Sequence, residues 1–140
     1  MIEFAKSVRH VFENNKDTID LPFLYDFPIN SCEAVSTYFA FLVMEEFPQA
    51  SVKVVHGWNN DDEHHYWVEI DGLVYDITAD QFPEVSQAYY GLSANPLLSI
   101  FNQTEKKSAS VAMVDYDGVE HERKDAAYQQ LISLIKTAQG

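Results

Sequence analysis

The sequence predicts an α+β domain in which a helix precedes an antiparallel β meander and helix returns at the C-terminus. Three observations carry this. Apolar residues recur at helical spacing in 2–14, 31–47 and 128–135, three strand-like runs follow one another over 51–78, and the last two runs meet at Asp71-Gly72, a pair suited to a tight hairpin turn. Helices and strands that segregate rather than alternate belong to the α+β class. A chain of 140 residues, 46% hydrophobic and 14% aromatic, is long and apolar enough to form one core, and no repeat or linker divides 1–140.

Ile2, Ala5, Val8 and Phe12 form one stripe of a first helix that should end near Asn14-Asn15. Leu21 to Ile29, with Pro22 and Pro28 among aromatics, reads as extended. Asn30-Ser31 offers capping oxygens ahead of Cys32, and Val35, Phe39, Leu42 and Val43 continue a second helix over 31–47, stopped before Pro48. Strands are expected at 51–58, 63–70 and 73–78, the first two joined by Asn59-Asn60-Asp61-Asp62, a solvated loop. Residues 81–104, with Pro83, Gly91 and Pro96, suggest short helical turns against the sheet. Ala109 to Tyr116 and Val119 to Glu122, flanking Asp117-Gly118, read as a further strand pair before a last helix carrying Tyr128, Leu131, Ile132 and Ile135.

Charge narrows the function classes. Nine Lys and Arg against 22 Asp and Glu give a net charge of -13, which would repel a phosphate backbone, so nucleic acid is an unfavourable partner. Tyr38 to Met44, the longest apolar run, is too short to span a bilayer, and Met1 to Lys6 lacks the pattern of a cleaved signal; the expectation is a cytoplasmic protein without a membrane partner. Cys32 is the sole cysteine and has no internal partner for a disulfide, which leaves its thiol free.

The hairpin decides what the polar residues can do. A two-residue turn at Asp71-Gly72 sets Ile70 opposite Leu73, Val68 opposite Tyr75 and Tyr66 opposite Ile77 on one face. Glu69 with Val74, Trp67 with Asp76 and His65 with Thr78 then share the other. His65 and Asp76 become diagonal neighbours, roughly 7 to 8 Å apart at the backbone and within joining reach of their side chains. His64 falls on the apolar face by the same parity. An imidazole oriented by a carboxylate is the base of a nucleophilic triad, and Cys32, in the first turn of a helix whose free N–H groups favour a thiolate, supplies a nucleophile.

In this order, Cys32, Val55-His56-Gly57, His65-Tyr66-Trp67-Val68-Glu69 and Asp76-Ile77-Thr78, the chain resembles the transglutaminase-like superfamily of cysteine enzymes over about residues 30–80. Ile77 stands where the family usually has proline, and Ser31 where a glycine often precedes the cysteine. The resemblance implies a papain-like fold, with Cys32 as nucleophile, His65 as base and Asp76 as orienting carboxylate. On that reading Cys32 attacks a peptide or glutamine carboxamide, His65 protonates the leaving amine, and water or an amine resolves a thioester. The Cys32 backbone N–H is the first oxyanion donor, Asn30 or Tyr25 the second, and Trp67 forms the site wall.

Lys53 is the only Lys or Arg between Lys16 and Lys106, an interval holding fifteen Asp and Glu, so the expected substrate is a peptide or protein with a cationic or amine-bearing group. No cofactor is called for. Cys32, His56, His64, His65 and His121 match no compact zinc spacing, adjacent His64 and His65 face opposite ways, and His56 and His121 read as surface residues, which disfavours a metal. The alternative is a catalytically silent domain of the same fold serving as an acidic protein-interaction module. Composition is neutral on whether the chain is an effector or toxin, and oligomeric state is not readable from it.

Overall fold

The computed structural model describes residues 1–139. Helix α1 spans Ile2–Asn14 and α2 Cys32–Glu46; strands follow as β1 (Val52–Trp58), β2 (His64–Ile70), β3 (Leu73–Asp76), β4 (Tyr89–Leu92) and β5 (Gln103–Ser108), before α3 (Ala109–Asp115) and α4 (His121–Gln139). One antiparallel sheet has the order β4-β3-β2-β1-β5, confirming the α+β class. Among the described residues no helix is long and apolar enough to cross a membrane.

The hairpin register is as expected for Ile70 with Leu73, Glu69 with Val74 and Val68 with Tyr75. Asp71 and Gly72 both adopt positive φ, 51° and 82°, as a turn matched to strand twist requires. The ladder then ends earlier than expected. The β2–β3 ladder ends at Val68 with Tyr75, so the pairs of Trp67 with Asp76, Tyr66 with Ile77 and His65 with Thr78 do not form; Asp76 pairs instead with Tyr89 of β4, and the chain turns through Ala79–Gln81.

The two sheet faces are buried differently. Val52, Val54, Val68, Ile70 and Tyr75 share the main core with Val35, Phe39 and Val43 of α2, Val8 and Phe12 of α1, and Leu131 and Ile135 of α4. Val55, Trp67 and Val74 pack together in a separate cluster, and Ala79, Leu97 and Phe101 form a third with Phe82 and Tyr89 against it. The 79–101 segment thus supplies an apolar layer around His65, whose ring lies 5.0 Å from that of Phe82 and 5.5 Å from that of Phe101.

Four expectations are corrected. Residues 21–29, read as extended, form a series of turns with a 3-10 turn at Leu24–Asp26. Residues 109–115 form helix rather than strand: Ser108 Oγ accepts from Val111 N at 3.3 Å, an N-terminal cap that overrides the β-branched composition of Val111 and Val114. The partner run at 119–122 is the entry to α4. Strand β4 occupies ground read as short helical turns, one of which does form at Pro96–Ser99; β5, Gln-Thr-Glu-Lys-Lys-Ser, overlaps that ground only at 103–104 and is a polar sheet edge whose Lys106 and Lys107 discourage pairing with another chain.

Candidate functional site

Cys32 is the first residue of α2, but Ser31 does not cap it. The Ser31 hydroxyl donates to Pro28 O at 2.9 Å, so no side chain occupies the free N–H groups of the first turn. Those groups and the helix dipole are therefore directed at whatever sits beside Cys32. The thiol itself is partly exposed.

His65 and Asp76 meet as the alternation of strand faces anticipated. Nε2 of His65 lies 2.7 Å from Asp76 Oδ2, with both side chains fully buried. Asn95, also buried, donates from Nδ2 to the same Oδ2 at 2.9 Å and is fixed in turn by accepting from Leu97 N. Asp76 Oδ1 has no hydrogen-bond partner among the described residues, so the carboxylate engages its surroundings through the oxygen that faces His65. Burial lowers the basicity of His65; the charge and hydrogen bond of Asp76, joined by interaction with Cys32, more than reverse this and raise its pKa to about 9. Because Nε2 is taken by Asp76, Nδ1 is the nitrogen left for Cys32.

The remaining sequence-derived residues are placed as follows. Trp67, expected as the site wall, is buried with its ring centroid 5.6 Å from that of His65. Tyr25 is 71% exposed and Asn30 is exposed with φ 61°; among the described residues neither side chain hydrogen-bonds to Cys32, His65 or Asp76, and the structure does not bring them into the array. His64 lies on the expected face but is exposed, and His56 departs from its surface assignment: it is half-buried, stacked on Tyr66 with centroids 4.4 Å apart, with Nε2 2.7 Å from His64 Nδ1. His121 is exposed, as expected. Glu69, on the same face of β2 as His65, is largely covered and pairs with Lys106 at 2.9 Å. No three His, Cys, Asp or Glu side chains converge to hold a metal among the described residues.

Two polar residues that sequence reasoning missed complete the site. Asn95 carried a readable signal, since Asn ahead of Pro96 marks a capped helical turn, though not that its amide would reach Asp76. Gln81, placing Nε2 3.0 Å from His65 Nδ1, had none: its position depends on the tertiary turn after Asp76. That turn is clamped from α1, where Arg9 donates through Nη1 and Nη2 to Asp80 at 2.6 and 2.8 Å and through Nη1 to Ile77 O at 2.7 Å.

Gly57 is required by this packing. A Cβ there would lie 2.8 Å from Trp67 Cζ3 and 3.0 Å from Phe101 Cβ, both held in the layer around His65. Gly57→Ala is expected to cost about 1–3 kcal/mol, the range for overfilling a packed interior. A denaturation midpoint indistinguishable from that of the native chain would contradict the placement.

A pocket of about 70 Å³ is lined by Glu33, the residue after Cys32 on α2, and by His56, Tyr66, Glu105, Lys107 and Asp115, among others. Burial and the nearby Asp117 raise the pKa of Glu33, although its hydrogen bond with Tyr66 opposes them. Lys107 is engaged by Asp115 at 2.9 Å, which leaves Glu33 and Glu105 to set the sign of the local field. No protein-family model, curated protein or solved structure matches this chain.

Proposed function

We propose that this chain is a thiol-dependent acyl transferase acting on amide bonds, with the papain-like, transglutaminase-like arrangement that its motif order resembles. The observation that carries the reading is the fully buried His65–Asp76 pair at 2.7 Å, which leaves Nδ1, contacted by the Gln81 amide, as the ring nitrogen that would receive a proton from a thiol at the start of α2. Structural histidines do occur in cores, but a buried imidazole with a carboxylate behind it and a partly exposed thiol in front has the three roles of a triad in order.

In the mechanism, the Cys32 proton passes to His65 Nδ1 and the sulfur attacks the carbonyl carbon. Asp76 stabilises the resulting imidazolium, while Asn95 holds the carboxylate in place. The Cys32 N–H and the uncapped first turn of α2 face the developing oxyanion. Collapse releases the amine, which takes the proton back from Nδ1, and leaves a thioester on Cys32. Water then yields the acid; a primary amine yields a new amide.

A peptide amide incubated with the chain is expected to leave its acyl mass on Cys32, removable by hydroxylamine and absent from Cys32→Ala. A folded chain that never acquires such an adduct, even from an activated ester, would return the reading to the acidic interaction module. The acidic pocket lined by Glu33 also supports a preference for cationic substrates. Glu33→Gln is expected to narrow the low-salt rate advantage of a Lys-bearing over a Glu-bearing peptide by about two- to fivefold, the weight of one partly solvated charge. An advantage untouched by both the substitution and added salt would remove Glu33 from recognition.

A further inference from the structure

The contact between Gln81 and His65 has no part in the mechanism above, yet it occupies the one nitrogen that mechanism needs. Asp76 holds Nε2, so a neutral His65 carries its proton there and presents the Nδ1 lone pair to the site. Gln81 Nε2 lies 3.0 Å from that lone pair. When Nδ1 takes a proton from Cys32 it becomes a donor, and two donors cannot share a hydrogen bond. The Gln81 amide must then turn, so that its oxygen accepts, or withdraw.

We infer that the Gln81 carboxamide is a removable cap on the base nitrogen of His65, a positioning residue that the chemistry must displace at each proton transfer from Cys32. This inference rests on the proposed function. Two observations independent of the contact itself support it. The first is that Gln81 is half-buried, in a short turn at the site edge, whereas His65, Asp76 and Asn95 are fully enclosed. The second is that the turn is anchored from outside the site: Arg9 grips Asp80 and Ile77 O and also pairs with Glu13, so the residue immediately before Gln81 is tied to α1.

The clamp therefore sets how firmly the cap is seated. The titratable groups facing His65 are Asp76 of β3 and Cys32 of α2; its other neighbours, Trp67, Phe82 and Phe101, do not titrate. Gln81 is thus the neutral polar group whose loss alters Nδ1 without altering the charge of the site.

Donation to a lone pair opposes its protonation, so removing the cap makes Nδ1 a better acceptor for the thiol proton. Gln81→Leu, similar in size but without donors, is expected to raise the rate of Cys32 alkylation by iodoacetamide at neutral pH by about three- to tenfold, the effect of losing one neutral hydrogen bond. Asp80→Asn, which loosens the clamp and leaves Gln81 in place, is expected to fall between the native chain and Gln81→Leu. Alkylation needs no oxyanion donor, so a Gln81 that served only that role would leave the rate unchanged. In ¹⁵N spectra, Nδ1 of neutral His65 is expected to move toward the position of a free lone pair in Gln81→Leu, a readout that tests the cap even if the variant is less stable.

Three outcomes separate the possibilities. A native thiol whose reactivity depends on His65 and rises in Gln81→Leu supports the cap. The same dependence on His65 with an unchanged or lowered rate and an unmoved Nδ1 overturns the cap and leaves the proposed function intact. A native thiol of ordinary reactivity, indifferent to His65→Ala, overturns the proposed function and the cap together.

Discussion

Amide turnover is expected to fall by about 10²- to 10⁴-fold in His65→Ala, the contribution of a positioned general base, with little change in substrate affinity. The reason is geometric. In the proposed mechanism the imidazole acts through Nδ1 alone; it is held by Asp76 at Nε2 and flanked by the rings of Trp67, Phe82 and Phe101, so no neighbouring group can replace it. Kinetics of single turnover would assign the loss to acylation. A variant that retained the native acylation rate would show that the buried pair is architectural.

The second large effect is on stability, and its sign depends on pH. His65 in the folded chain titrates at about 9 against an ordinary value of 6.5. The unfolded chain thus loses its proton first. The contribution of this group is fully present below pH 6.5 and is lost as pH rises through about 9, and a shift of this size corresponds to about 3 kcal/mol. Asp76→Asn removes the charge that raises the pKa and retains the burial that lowers it, so the folded value should drop below the unfolded one. Stability should then climb, rather than fall, as pH passes through the ordinary histidine range. Asp76→Ala, which strands a buried imidazole beside a cavity, is expected to cost about 3–5 kcal/mol at neutral pH. Denaturant titrations across pH would reveal both effects; an Asp76→Asn chain with the native slope would mean that Asp76 is not what holds the His65 proton.

The part of the site visible in the sequence is the part governed by local periodicity. Asp71-Gly72 sets the turn, the turn sets the register, and the register puts His65 and Asp76 on one face. Helix α2 was legible from Val35, Phe39 and Val43 and from the stop at Pro48. Elements that depend on context were not. Gln103–Ser108 lacks any apolar alternation because it is a solvated edge, and Ala109–Asp115 looks like a strand until the Ser108 cap is weighed. Gln81 and Asn95 reach the site only because β3 ends at Asp76 and the chain then wraps the sheet face, an outcome of tertiary packing that spacing does not encode. The same holds for Arg9, 71 residues from the Asp80 it clamps.

The central claim is that in the proposed triad Cys32 gives its proton to Nδ1 of His65, while Asp76, from a third element, holds the separate proton on Nε2. The rate of Cys32 alkylation as a function of pH, in the native chain and in His65→Ala, tests it most directly. The native chain should react about tenfold or more faster than an ordinary thiol at about pH 6, and His65→Ala should follow the ordinary thiol curve. Two superimposable curves, each that of an isolated thiol, would contradict the claim.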